Sequence, residues 1–375
     1  MRFLLPLLFV FLSFSAAAQN PPPPVLAANA WLLFDHNTGQ VLVSHKPDER
    51  VEPASLTKLM TAYVTFSALK SGSITLEQDV NVSERAWKQI GSRMFIEPRK
   101  PVTVDQLIHG MIIQSGNDAC VALAEVVAGS EEAFVHMMNR EAERLGMKNT
   151  RFANASGLPD ENLYTTARDL AVLASALVRD FPELYRIYSM REFTYNNITQ
   201  PNRNRLLWMD GTVDGMKTGH TSAAGYCLVS SAERGSRRLV SVLLGADSDA
   251  IRAQESLKLL NYGFQFFDAA KLYDAGQALS RFEVWKGEHN DVPVGFEREF
   301  VMSLPKGQVD KVQVALKSAQ PIMAPVQKGQ VIGTLALSID GAAIGEYPVV
   351  ALEDVELAGF FGRLWDALAL WIKDL

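Results

Sequence analysis

Glu52-Pro53-Ala54-Ser55-Leu56-Thr57-Lys58-Leu59-Met60 is the stretch on which the reading of this chain turns. Ser55 opens a segment with apolar residues at Leu56, Leu59, Met60 and Tyr63, the period of a helix with one buried face, and so falls in a first helical turn. There the free backbone N–H groups and the positive end of the helix dipole favour negative charge on a nucleophile and on the oxyanion it makes. Residues three apart share a helix face, so Lys58 can stand beside the Ser55 hydroxyl as a built-in base. Two other Ser-x-x-Lys strings lack this setting. Ser67 to Lys70 lies near the end of the same helix, where the dipole has the wrong sign, and Ser303 to Lys306 contains a proline in a turn-like segment.

Two later strings extend the pattern: Ser115-Gly116-Asn117, interrupting a buried helical region over residues 102–129, and Lys217-Thr218-Gly219, ahead of a β-rich run. Together they describe an acyl-transfer site in which an amine replaces histidine as the base. A lysine can play that part if burial and neighbouring cations depress its pKa, and Lys58 and Lys217 can depress each other. Which of the two is neutral at rest is not legible. The six histidines are scattered without zinc-site spacing, so neither a metal nor another cofactor is expected.

Outward from the motifs, residues 30–44 read as a hairpin about Asn37-Thr38-Gly39, and residues 226–246 as a second about Arg234-Gly235. Helical patterns cover 131–145, 166–188 and 252–267. An antiparallel sheet with helices on its faces makes the first domain, residues 29–272, an α+β unit. Beyond residue 272, short strands separated by Gly, Pro and Lys-Gly turns imply a small all-β domain over 273–355, a spacer or binding module without a catalytic constellation.

Both ends carry addresses. Met1-Arg2, an apolar run from Phe3 to Phe14 and Ala16-Ala17-Ala18 form a signal peptide over 1–18, with 19–28 as a proline-rich leader, so the chain is expected to be exported. Over 356–375, Phe361, Leu364, Trp365, Leu368, Ile372 and Leu375 follow helical spacing opposite Arg363, Asp366, Lys373 and Asp374. That amphipathic helix suits attachment to the inner-membrane surface through 357–375, and it is also a candidate homodimer contact. A net charge of −6 over 375 residues argues against nucleic-acid binding. Cys120 and Cys227 read as a disulfide or, more blandly, as two buried free thiols.

With these residues in view, the chain resembles the low-molecular-mass penicillin-binding proteins of the D-alanyl-D-alanine carboxypeptidase type, also through Asn117-Asp-Ala-Cys120 and Asp214-Gly-Met-Lys-Thr-Gly-His220. The resemblance implies a β-lactamase/transpeptidase-like domain followed by a β-sandwich, and removal of the terminal D-Ala from peptidoglycan pentapeptide stems on the periplasmic face of the inner membrane. β-Lactams are implied as acylating inhibitors. It implies Ser55 as nucleophile, Lys58 as base and Ser115 as proton relay. Asn117, Lys217, Thr218, Gly219, His220 and Arg252 are implied to bind substrate, with the backbone N–H groups of Ser55 and His220 as the oxyanion hole. Arg203 is a weaker carboxylate partner. The rival readings are a β-lactamase using Glu161, an endopeptidase of the same chemistry, and a membrane-attached shape scaffold that only binds.

Overall fold

The computed structural model describes residues 22–360, 362 and 364–366, so the expected signal peptide and most of the expected C-terminal amphipathic helix lie outside the described residues. A five-stranded antiparallel sheet organises the first domain, in the order Gln40–His45, Ala30–Asp35, Arg237–Ala246, Gly225–Arg234 and Val213–Thr221. Successive side chains of a strand face opposite ways, and the strands use both faces. Leu32, Val229, Val240, Val242 and Leu244 join one core with the helices Lys58–Lys70, Val104–Ile113, Asn117–Ala128 and Ala167–Asp180. Leu33, Leu228, Leu239 and Leu243 join a second core beneath the long helix Asp249–Phe266. Both expected hairpins are present, with bulges at Leu33/Phe34 and Tyr226/Leu228.

The nucleophile segment differs from the expected single helical turn. Ala54–Thr57 form a 3₁₀ turn, entered at Ala54 with φ 47°, and the α-helix begins at Lys58. Nor does the helix keep one buried face, since every residue from Lys58 to Phe66 is buried. It runs through the middle of the domain, packed by the helices Val104–Ile113, Asn117–Ala128, Glu131–Leu145 and Ala167–Asp180, an enclosure that a periodicity argument about a surface helix cannot register. The helical region over 102–129 breaks as expected at Ser115, which adopts φ 68° between the helices Val104–Ile113 and Asn117–Ala128.

The β module packs a six-stranded sheet and the ribbon of Phe267–Tyr273 with Phe300–Pro305 about one core. Residue 272, where composition changes, falls inside the ribbon's first strand. Ser303 lies in the second strand, not in a turn, and fastens the module to the main sheet. Its Oγ donates to Asp35 and accepts from Arg237 at 3.0 Å, while its N–H donates to Gln40 Oε1 at 2.6 Å. Ser67 in turn donates to the Tyr63 carbonyl within its own helix. Both Ser-x-x-Lys controls are therefore structural.

Candidate active site

Ser55, Ser115, Thr218, Gly219, His220 and Arg252 line one cleft of about 740 Å³, with Lys58, Asn117 and Lys217 buried around it. Every site residue expected from the sequence thus converges there. The Val213–Thr221 edge strand runs past the nucleophile turn, and Gly219 makes this approach feasible. A Cβ at that position would stand 3.1 Å from the Pro53 carbonyl oxygen and 3.3 Å from the Ala54 side chain. The close contact Gly219 permits is therefore with the nucleophile segment itself.

Lys58 has three partners. Its Nζ lies 3.1 Å from Ser55 Oγ, 2.7 Å from Asn117 Oδ1 and 2.6 Å from the Ser156 carbonyl oxygen. The last two can only accept, and Asn117 is oriented by donating its Nδ2 to the Ile90 carbonyl at 2.7 Å. A neutral lysine has two N–H groups and one lone pair. In that form, with both N–H groups spent on Asn117 and Ser156, a lone pair would be left for the Ser55 hydroxyl, whereas a protonated Lys58 donates to all three. Burial lowers the Lys58 pKa, which favours that neutral form, although nearby Asp118 and Cys120 oppose the shift.

Lys217 is driven well below its ordinary pKa, first by burial and then by repulsion from Lys58 and Arg203. Lys58 thus depresses Lys217, while the lowering of Lys58 comes from burial and Arg203, so the mutual depression expected from the sequence holds in one direction. Lys217 Nζ donates to the Thr218 carbonyl at 2.9 Å. Ser115 Oγ is buried and makes no hydrogen bond, so its lone pairs and proton remain available to a molecule in the cleft.

The far wall is cationic. Arg252 is buried, donates to the Gly219 and Cys227 carbonyls at 3.3 and 3.4 Å and pairs with Asp249. Arg203 lines the cleft as well, beside Arg205, whose guanidinium sits 3.2 Å from Asp249. His220 is exposed at the rim and packs against Tyr226, with the ring centroids 4.1 Å apart and the planes tilted by 37°. Cys120 and Cys227 are free and buried; Cys120 donates to the Gly116 carbonyl, and burial pushes its thiol up to about 11. Among the described residues, no three of His, Cys, Asp and Glu are arranged to hold a metal ion.

Sequence reasoning missed the loop 154–158. Asn154 Oδ1 accepts the N–H groups of Ser156, Gly157 and Leu158 at 3.2, 2.7 and 3.2 Å, which curls the loop and turns the Ser156 carbonyl onto Lys58. Gly157 has φ 83°, and a Cβ there would fall 1.8 Å from the Ala54 carbonyl oxygen. Gly157→Ala is expected to cost at least about 2 kcal/mol through the backbone conformation and the clash. It should also slow acylation in the molecules that fold, because the relief must displace either the nucleophile turn or the lysine's acceptor. Melting together with penicillin labelling per folded molecule would check both. Glu161, the residue a β-lactamase reading would need, is exposed and absent from the cleft lining.

A serine held by a lysine in a half-cationic cleft between an edge strand and a helical layer defines the class of active-serine acyl-transfer enzymes with an amine base. Residues 16–248 match the family model described as D-alanyl-D-alanine carboxypeptidase, and residues 267–357 match that of the penicillin-binding protein 5 C-terminal domain. The D-alanyl-D-alanine carboxypeptidase DacC of Escherichia coli (strain K12) is 45% identical over 94% of this chain and 90% of its own. DacA of Haemophilus influenzae is 43% identical over 98% and 96%. The crystal structure of penicillin binding protein 5 from Haemophilus influenzae superimposes with a TM-score of 0.84 at 42% identity, covering 90% of this chain and 99% of that one. The chain belongs to the D-alanyl-D-alanine carboxypeptidase family and is a serine-type DD-carboxypeptidase of two domains.

Proposed function

We propose that this enzyme removes the terminal D-alanine from peptidoglycan pentapeptide stems through an acyl-enzyme on Ser55. The observation that carries the reading is the three-partner setting of Lys58, whose Nζ lies 3.1 Å from Ser55 Oγ while Asn117 and Ser156 take its other two positions. Lys58 takes the Ser55 proton as Oγ bonds to the penultimate carbonyl carbon. The oxyanion is met by the backbone N–H groups of Ser55 and His220. When the C–N bond breaks, the departing D-alanine nitrogen receives a proton through Ser115. Water then attacks the ester with Lys58 accepting its proton, the acyl C–Oγ bond breaks as Lys58 returns that proton to Ser55 Oγ, and the enzyme is restored. Lys217, Thr218 and Arg252 hold the terminal carboxylate, while Asn117 and Gly219 flank the acyl chain. A site that demands a free carboxylate disfavours longer chains, which accounts for an exopeptidase. A β-lactam enters the same sequence, but its leaving nitrogen stays tethered to the acyl group.

The catalytic unit runs from residue 29 to the end of the helix Asp249–Phe266, and residues 267–355, which open with the ribbon strand Phe267–Tyr273, form a spacer that sets its height. The protein is exported and lies on the periplasmic face of the inner membrane, held peripherally by residues 357–375. Support comes from the amphipathic pattern of that segment, in which Leu357, Leu364 and Trp365 are exposed. No helix among the described residues is long and apolar enough to cross a membrane.

Two measurements test this. A peptide ending in D-Ala-D-Ala should release free D-alanine with the wild-type enzyme and none with Ser55→Ala; release that survives the substitution would sink the mechanism. Anionic vesicles should sediment with the full chain and not with one ending at residue 356, and equal sedimentation of the two would remove the anchor.

A further inference from the structure

Asp118 is fully buried one residue past Asn117, and the chemistry described so far does not use it. Its carboxylate accepts the backbone N–H groups of Met94 at 3.0 Å, Phe95 at 2.8 Å, Ile96 at 3.2 Å and Ala119 at 2.9 Å. Three of those four donors belong to the loop over 90–97, more than twenty residues upstream. Phe95 adopts φ 69°, a left-handed conformation unusual for an aromatic residue, while its ring stays partly exposed. The backbone there is therefore bent around the carboxylate and not arranged to bury the ring.

The same loop reaches the active site. Ser92 lines the cleft and its carbonyl accepts the Asn117 N–H at 2.7 Å, while the Ile90 carbonyl accepts Asn117 Nδ2. The Ile90 contact settles which way the Asn117 amide faces. Were it flipped, an N–H group would confront the Lys58 amine and the lone-pair geometry would be lost.

We propose that Asp118 is a positioning residue for acylation: it anchors the 90–97 loop, the loop fixes the Asn117 amide through Ile90 and Ser92, and Asn117 aims Lys58 at Ser55. This rests on Lys58 being the base. Asp118 also acts on Lys58 through space. The charged or titratable groups facing that amine are Cys120 and Asp118 from the helix Asn117–Ala128, Arg203 from the 202–205 turn and Lys217 from the edge strand. Cys120 and Asp118 both favour the protonated amine, so removing the Asp118 charge frees the base at lower pH.

Two substitutions separate the two effects. Phe95→Pro removes one N–H donor and forbids the left-handed φ, yet keeps the carboxylate and leaves the core intact; Asp118→Asn keeps the size and removes the charge. The rate of acylation by a fluorescent penicillin is measured against pH on the full chain. Both variants are expected to lose about 10- to 100-fold in rate at the plateau, the scale of a misplaced catalytic group. Only Asp118→Asn should move the acid limb to lower pH. Phe95→Pro acylating at the wild-type rate overturns the proposal, and it decides the matter even if Asp118→Asn does not fold. A folded Asp118→Asn enzyme with an unchanged rate and limb overturns it as well. A Lys58→Met control that keeps the wild-type rate would remove the base reading and this proposal together, whereas an inert control beside a fully active Phe95→Pro removes this proposal alone.

Discussion

Lys58→Met is expected to slow acylation of Ser55 by about 10²- to 10⁴-fold, the usual worth of a positioned general base. Methionine nearly matches the lysine stem in volume, so the buried helix keeps its packing. It leaves Asn117 Oδ1 and the Ser156 carbonyl without their 2.7 and 2.6 Å donors, at a cost of about 1–3 kcal/mol for each buried acceptor. Against that stands relief from burying an amine whose pKa burial already lowers. The pH profile carries more information than the plateau. Wild-type activity must fall as pH drops through the depressed Lys58 pKa, because the protonated amine has no lone pair for Ser55. In the variant that limb should vanish. A rate within tenfold of wild type, with the limb intact, would transfer the base role to Lys217.

The residues that converge on the cleft were legible because the proposed chemistry needs side chains of particular types at particular spacings. Ser55 and Lys58 are three residues apart on a helical path, Ser115 and Asn117 straddle a glycine, and Lys217 to Gly219 lie on a strand. What the sequence concealed was the supporting structure, which is made largely of backbone. The Ser156 carbonyl that accepts from Lys58 has no residue signature, and the Asn154 side chain that aims it looks like any loop asparagine. Asp118 follows the motif directly, but its role depends on N–H groups at positions 94–96 that only tertiary folding brings near. The uniform burial of Lys58–Phe66 escaped for a similar reason: a helix enclosed on all sides loses the periodicity by which an amphipathic one is recognised.

Lys217→Met should lose D-alanine release while melting higher than the wild type, and the two results have one cause. Lys217 is buried beside a second amine, and Arg203 and Arg252 lower its pKa further, so its positive charge is held at a cost. In the binding mode proposed above, its loss removes a partner of the terminal D-Ala carboxylate. About 10²- to 10³-fold in kcat/KM is expected to go, with penicillin acylation falling similarly if its carboxylate occupies the same place. The stability effect has a definite sign. In the unfolded chain the lysine titrates near its ordinary 10.5, whereas in the fold its pKa lies well below that. Between the two values the unfolded state holds the extra proton, so this residue's contribution to stability rises with pH across that window and is least favourable beneath it. Methionine removes the penalty. The gain in melting temperature should therefore be largest below the depressed pKa and fade as pH approaches 10.5, each kcal/mol recovered being worth about 2–4 °C in a domain of this size. A variant that melts lower at every pH would mean that the Lys217 bond to the Thr218 carbonyl outweighs the burial of its charge. The edge strand would then depend on the lysine for its shape as much as the substrate does for its binding.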